Sequence, residues 1–159
     1  MAGDLGVPDS VKFDAQGFIV STQVYSGQVL RIDPRTGEQR VLAQLSPGLD
    51  NCTFVDGRLF VSNFTGEITE INADGSTRAA LPGGLNWPLD LAVAEDGTLW
   101  VADGTFTYTM SDTGESSGTG EREIAGMMFT PGYPGFLRGL APAGPGRFLV
   151  TTANGEVGY

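Results

Sequence analysis

Four positions along this 159-residue chain, Asp9, Asp50, Asp90 and Arg138, open similar apolar segments. They recur about every 40 residues, the last interval stretching to about 48. A second set, Thr22, Asn63, Asp103 and Thr152, closes short apolar runs at the same interval. If repeated segments fold alike, repetition alone carries both sets to one place. Carboxylate and amide oxygens gathered in that way are the donors a hard cation such as Ca2+ or Mg2+ takes. Asp9, Asp50, Asp90, Asn63 and Asp103 are the expected metal ligands, with Asn51 beside them. Carboxyl groups also perform general acid–base catalysis. Asp9, Asp50 and Asp90 are the candidates for that role, and nothing in their spacing chooses the base among them. Arg138 is placed either to clamp a substrate or to pair with the aspartates. A plainer use is open to each aspartate: capping its own loop by accepting backbone N–H bonds.

Aromatic side chains fall in the connections between these segments. Tyr25, Phe64 and Phe106 follow the second apolar run of three copies, and Trp87 precedes the third copy. Tyr133 lies in 127–136, the longest apolar connection, which is long enough to cover a channel mouth. Arg138, Trp87, Tyr25 and Tyr133 are the expected substrate-binding set. The alternative for the aromatics is packing between neighbouring repeats. The polar stretch 114–120 falls on the opposite side of the repeat and is given no chemical role.

Composition removes several chemistries. No histidine occurs, which excludes Ser-His-Asp and Cys-His catalysis and His-based zinc sites. The one cysteine, Cys52, lies in an apolar run and reads as a buried thiol. The formal charge of −10 would repel a polyanion, so no nucleic-acid partner is expected. The N-terminal residues lack the basic and apolar regions of a signal peptide. No apolar run is long enough to span a bilayer. No membrane role is expected, and the expected setting is cytoplasmic.

The elements that would position these residues are strands. Pro8-Asp9-Ser10-Val11-Lys12-Phe13, Leu49-Asp50-Asn51-Cys52-Thr53-Phe54, Leu89-Asp90-Leu91-Ala92-Val93-Ala94 and Leu137-Arg138-Gly139-Leu140-Ala141 open the four copies. Each is followed by a glycine turn and a run such as Leu59-Phe60-Val61 or Leu99-Trp100-Val101. Consecutive apolar residues suit a strand covered on both faces. Val20, Val61, Val101 and Val150 line up as a core column. A third strand, a turn and a polar outer strand complete each unit. Repeats of this length built from strands fit β-propeller blades. The expectation is an all-β chain, one propeller region over 1–159, with about four four-stranded blades near 8–43, 49–81, 89–125 and 137–159, the last incomplete.

Pro8-Asp9-Ser10-Val11-Lys12-Phe13-Asp14 with Gly17, the stretch from Val29 to Asp33-Pro34, and Leu99-Trp100-Val101-Ala102-Asp103 resemble the senescence marker protein/gluconolactonase/luciferin-regenerating enzyme-like superfamily, and more loosely NHL-type repeats. The resemblance covers nearly the whole chain. It implies a lactonase-like hydrolase, or a piece of one, acting on a small cyclic ester or sugar-derived ligand. A divalent cation would polarise the carbonyl and an acidic residue would handle the proton. The resemblance suggests Asp9 as the match to the family's Pro-Asp-Gly aspartate, and Asp50 and Asp90 match the same slot. The family's metal-binding Glu of a Glu-Gly-Pro segment has no counterpart, and Leu49-Asp50-Asn51 stands where the family has Pro-Asn-Gly. Members are usually closed six-bladed rings, so a fragment is expected, or a homo-oligomer completing the propeller. Alternatively, Gly3 to Val7 lends a strand to the last blade and closes a four-bladed ring. A non-catalytic propeller binding a peptide or protein partner is the second functional reading. A lyase resembling virginiamycin B lyase is the third, weakened because such lyases use a histidine base.

Overall fold

Each recurring apolar run becomes the second strand of a sheet. The computed structural model describes residues 3, 5–103, 106–111, 121–128, 137–145, 147–153 and 155–158, and in 106–111, 121–128 and 137 the backbone only. The first blade is β1 (Pro8–Phe13), β2 (Ile19–Gln23), β3 (Gln28–Ile32) and β4 (Gln39–Gln44), antiparallel in that order. The second is β5 (Leu49–Val55), β6 (Arg58–Asn63), β7 (Ile68–Ile71) and β8 (Thr77–Leu81). The third is β9 (Pro88–Val93), β10 (Leu99–Asp103), β11 (Phe106–Ser111) and β12 (Glu121–Met128). The fourth has three strands, β13 (Leu137–Pro142), β14 (Phe148–Thr152) and β15 (Val157–Gly158). The innermost strands β1, β5, β9 and β13 pack side by side in that order. The sheets fan out from them as propeller blades. No comparable packing joins β13 to β1 among the described residues, so the fan is open. No described helix is long and apolar enough to cross a membrane.

The core is three layers, one between each pair of blades. Val20, Val29 and Ala43 of the first blade meet Leu49, Cys52, Leu59, Val61 and Ile71 of the second. Val55, Phe60, Ile68 and Ala80 meet Leu91, Leu99 and Val101 of the third. Ala92 and Ala102 meet Leu140 and Val150, with Trp100 and Phe148 in contact at 4.7 Å between ring centres. Alternate residues of a strand point to opposite faces. Leu59 and Val61 therefore face back to the first blade while Phe60 faces forward to the third. That two-sided burial is why these strands are apolar without alternation. Cys52 is fully buried, and desolvation pushes its thiol up to about 11.

Two glycines lock each outer loop to the next inter-blade connection. Gly27 and Gly66 have φ of +68° and +93°. A Cβ there would meet the carbonyl oxygens of Leu45 and Leu85 at 2.3 and 2.2 Å. Both glycine carbonyls accept from the same partners, Leu45 N at 2.8 Å and Leu85 N at 3.3 Å. The segment Gly3 to Val7 stays with the first blade. Gln39 Nε2 donates to Gly3 O at 2.8 Å and Val24 N to Val7 O at 3.0 Å. It adds no strand to the fourth blade in the described structure, contrary to the ring-closing alternative.

Strand pairing corrects the alignment of the copies by one residue in two places. Gln23, Asn63, Asp103 and Thr152 pair with the first residues of their blades, so Gln23 and not Thr22 ends the second strand in the shared slot. Ser21 occupies the position of Val61, and Val20 points forward into the second blade. The cause is the turn after the innermost strand. In the second blade it is the two-residue Asp56-Gly57 turn, with φ of 48° and 78°, the geometry of a type I′ hairpin. The first and third blades use five residues there. A one-residue slip in a strand exchanges its faces.

Candidate functional site

Every innermost strand carries a β-bulge near its start. Two residues oppose one on the neighbouring strand: Asp9-Ser10 against Thr22, Asp50-Asn51 against Ser62, Leu89-Asp90 against Ala102 and Arg138-Gly139 against Thr151. Bulges of this kind re-aim side chains. Asp9, Asp50, Leu89 and Arg138 are the true equivalents. Asp90 lies one position further on, in the slot of Ser10, Asn51 and Gly139.

That second slot rivets blades together. Ser10 Oγ accepts the N–H of Cys52 in the next blade at 3.3 Å. Asp90 Oδ2 accepts the N–H of Leu140 in the next blade at 2.5 Å, and Oδ1 accepts that of Leu91 at 2.8 Å. Gly139 leaves room for this carboxylate, since a Cβ there would lie 3.6 Å from Asp90 Oδ2 and 2.8 Å from Thr151 Oγ1. Burial raises the Asp90 pKa, against the pull of its two backbone donors.

The strand-end residues hold the loop entering their own blade. Asn63 Nδ2 donates to Ser46 O and Pro47 O, both at 3.2 Å, and Oδ1 accepts from Thr65 N and Oγ1 at 3.0 Å. Asp103 is fully buried, and its carboxylate accepts Asn86 N at 3.0 Å and Trp87 N at 2.5 Å. The loop-capping role weighed for the aspartates is what these contacts describe. Thr22 Oγ1 accepts Ser10 N at 3.1 Å and donates to Asp50 O at 2.5 Å.

What remains at the meeting of the innermost strands is Asp9 with Asp50. Asp9 is exposed and Asp50 is 7% exposed. Asp9 stands near enough to Asp50 to act on its ionisation. Burial, then the neighbouring Asp9 and the charge of Asp90, push Asp50 up to about 9, and Arg138 pulls it the other way. Asp50 therefore carries its proton at neutral pH. Its Oδ2 is buried without a hydrogen-bond partner, as is Asn51 Oδ1. Arg138 is exposed beside the pair.

The expected cation set does not assemble. Among the described residues no group of three or more His, Cys, Asp or Glu is arranged to hold a metal ion. Asp90, Asn63 and Asp103 have their oxygens turned to backbone or loop donors.

The aromatic candidates surround the same end of the blades. Tyr25 is 76% exposed, and Trp87, at 48%, packs edge-on to Phe64 with 6.1 Å between ring centres. Backbone bonds stitch their loops together, from Gly48 N to Val24 O at 2.7 Å and from Phe64 N to Gly48 O at 2.9 Å. Tyr133 and the stretch 114–120 lie outside the described residues, as does 129–136 of the long connection. Phe106 starts β11, and its side chain is not described. A cleft of about 530 Å³ opens at the other end of the first two blades, lined by Phe13, Arg31, Arg40 and Phe54 among others, and includes none of the site candidates. Sequence reasoning missed Ser10, Gln23 and the distinct slot of Asp90. Counting each second strand from its turn glycine, Gly17, Gly57 or Gly97, would have found Gln23.

No family model and no curated protein matches the chain. Solved structures do, at the level of the fold. A candidate gluconolactonase superposes with a TM-score of 0.75 at 17% identity, over 92% of this chain and 58% of its own. The nidogen/laminin complex gives 0.74 at 16%, over 95% and 57%. A catalytically inactive virginiamycin B lyase from Staphylococcus aureus with quinupristin gives 0.72 at 15%, over 99% and 56%. The chain is thus a β-propeller structure, of the fold shared by gluconolactonase-type, lyase and nidogen propellers. It spans little more than half the length of these neighbours.

Proposed function

We propose that the end of the blades bearing Asp9 and Asp50 is a hydrolytic site of the lactonase type, acting on a small cyclic ester or sugar-derived lactone. The observation that carries this reading is the carboxyl pair itself. A buried Asp50, its pKa raised, stands beside a solvent-facing Asp9. Two carboxyls whose environments differ divide acid and base roles between them. Asp9 takes a proton from water as its oxygen attacks the lactone carbonyl carbon. Asp50 donates its proton to the ring oxygen as the C–O bond opens, leaving a hydroxy acid. Arg138 is positioned to attract the carboxylate that forms. A divalent cation belongs to the family resemblance, but no step here runs through one.

Hydrolysis of a panel of small lactones, followed by acid release, tests this. Asp9→Asn and Asp50→Asn should each lower kcat by roughly 100-fold or more. Turnover unchanged in both variants rejects the pair as catalytic.

A second reading, a propeller that binds a protein or peptide without catalysis, draws on the exposed Tyr25 and Trp87. Nidogen, in the laminin complex, shares the fold. Asp9→Asn separates the two: it leaves partner capture intact in this reading and removes lactone turnover in the first.

A further inference from the structure

One cross-strand row of the first blade carries an unbalanced charge. Val20, Arg31 and Arg40 pair in register across β2, β3 and β4 and share the face turned to the second blade. The same row in the second blade is Phe60, Glu70 and Arg78. There the Glu70 carboxylate stands opposite Arg78 and takes Arg58 as well. The first blade has a guanidinium, Arg31, where the second has that carboxylate. Like charges directly opposite on neighbouring strands destabilise a sheet. Asp14 balances only one of the two. Its Oδ2 accepts Arg31 Nε at 2.6 Å, and Gln16 Oε1 accepts Arg31 Nη2 at 3.1 Å. Arg40 is exposed, and among the described residues no acceptor meets its guanidinium or Nη1 of Arg31.

Both arginines line the cleft of about 530 Å³ between the first two blades, at the end away from Asp9 and Asp50. Small-molecule sites are clefts of roughly 300–1,000 Å³, mostly apolar, with a few polar groups that fix orientation. The apolar lining here includes Val20 and Leu42 of the first blade and Phe54 of the second. Leu42 and Phe54 are half-buried and pack against the layer beneath. We infer that this cleft binds a small organic monoanion, a carboxylate on an apolar or aromatic body, gripped between Arg31 and Arg40. The charge is single because Asp14 already balances Arg31. The group is a carboxylate because the planar guanidinium fork matches two oxygens lying in one plane. The body is apolar because Val20, Leu42 and Phe54 offer it no hydrogen bond. Such a ligand supplies from outside the acid that Glu70 supplies within the next blade. The inference is independent of the lactonase reading, since the two sites lie at opposite ends of the blades.

Calorimetric titration with benzoate and with hexanoate tests the site, with benzamide as the neutral counterpart and inorganic phosphate as the bare anion. The expected result is saturable binding of the carboxylates with a Kd on the order of 1 mM, and none of benzamide or phosphate. Tm should rise with the carboxylate concentration. Arg40→Gln should weaken carboxylate binding by at least about 10-fold. Arg40 is exposed, so the change leaves the fold intact, and without ligand the variant should melt no lower than the parent because it relieves the repulsion with Arg31. Asp9→Asn should bind benzoate as the parent does. No saturation with either carboxylate at tens of millimolar overturns the inference. So does binding that Arg40→Gln leaves unchanged, phosphate binding as tightly as benzoate, or loss of benzoate binding in Asp9→Asn.

Discussion

Asp9 and Asp50 each stand second in the innermost strand of adjoining blades, the one exposed and the other buried, and the neighbouring Asp9 helps to raise the Asp50 pKa. The bulges turn both inserted side chains to the same opening. Burial of one and exposure of the other separate their chemistry.

The pair should appear in stability against pH. Asp50 titrates at about 9 in the fold against 3.8 ordinarily, so between those values the native state binds a proton that the unfolded chain has lost. Stability must then fall as pH rises from about 4 to about 9. Asp50→Asn removes this slope. Urea unfolding across that range measures it, and equal slopes for the two proteins would refute the raised pKa.

Asp103 serves the loop that carries Trp87. Asp103→Ala strips the carboxylate from two backbone donors and should cost about 2 kcal/mol. Trp87 emission should shift to the red as its loop loosens. A variant of unchanged stability that lost only metal or ligand binding would restore Asp103 to the site.

The glycine locks admit no side chain. Gly66→Ala and Gly27→Ala each drive a Cβ into a carbonyl oxygen at a positive φ. Each should destabilise by about 2 kcal/mol or more. Denaturant midpoints near that of the parent would show that the loops move freely apart.

Glu70, 3% exposed, joins Arg58 at 2.5 Å and also pairs with Arg78. The Arg58 hydrogen bond leads in holding its pKa below the ordinary 4.5. Its contribution is complete above about pH 4.5 and lost as pH falls through the lowered value. Glu70→Ala should cost about 2 kcal/mol, less than for a fully buried pair because both guanidiniums reach water. Acid titration of stability then differs between parent and variant below that pH, and identical curves would count against the pairing.

Blade number, strand order and the buried thiol were legible because they depend on local pattern. Leu59-Phe60-Val61 is apolar throughout because its two faces meet two blades, and repetition of that run marks each sheet. The placing of Asp90 was not legible. Asp50 and Asp90 follow a leucine alike, yet a bulge sets one at the opening and turns the other onto Leu140 N–H of the next blade. Thr22 and Gln23 show the same limit, since a two-residue turn in one blade and a five-residue turn in another shift the count by one.

From its amino acids alone this chain is an acidic, histidine-free run of propeller blades whose polar residues recur at one end, because strand formation follows apolar spacing and glycine turns. Only the tertiary structure decided which of those residues share a site. Side-chain direction alternates with every residue, so a single inserted backbone unit, visible only in the pairing, determines whether a carboxylate faces the opening, rivets two blades or holds a loop.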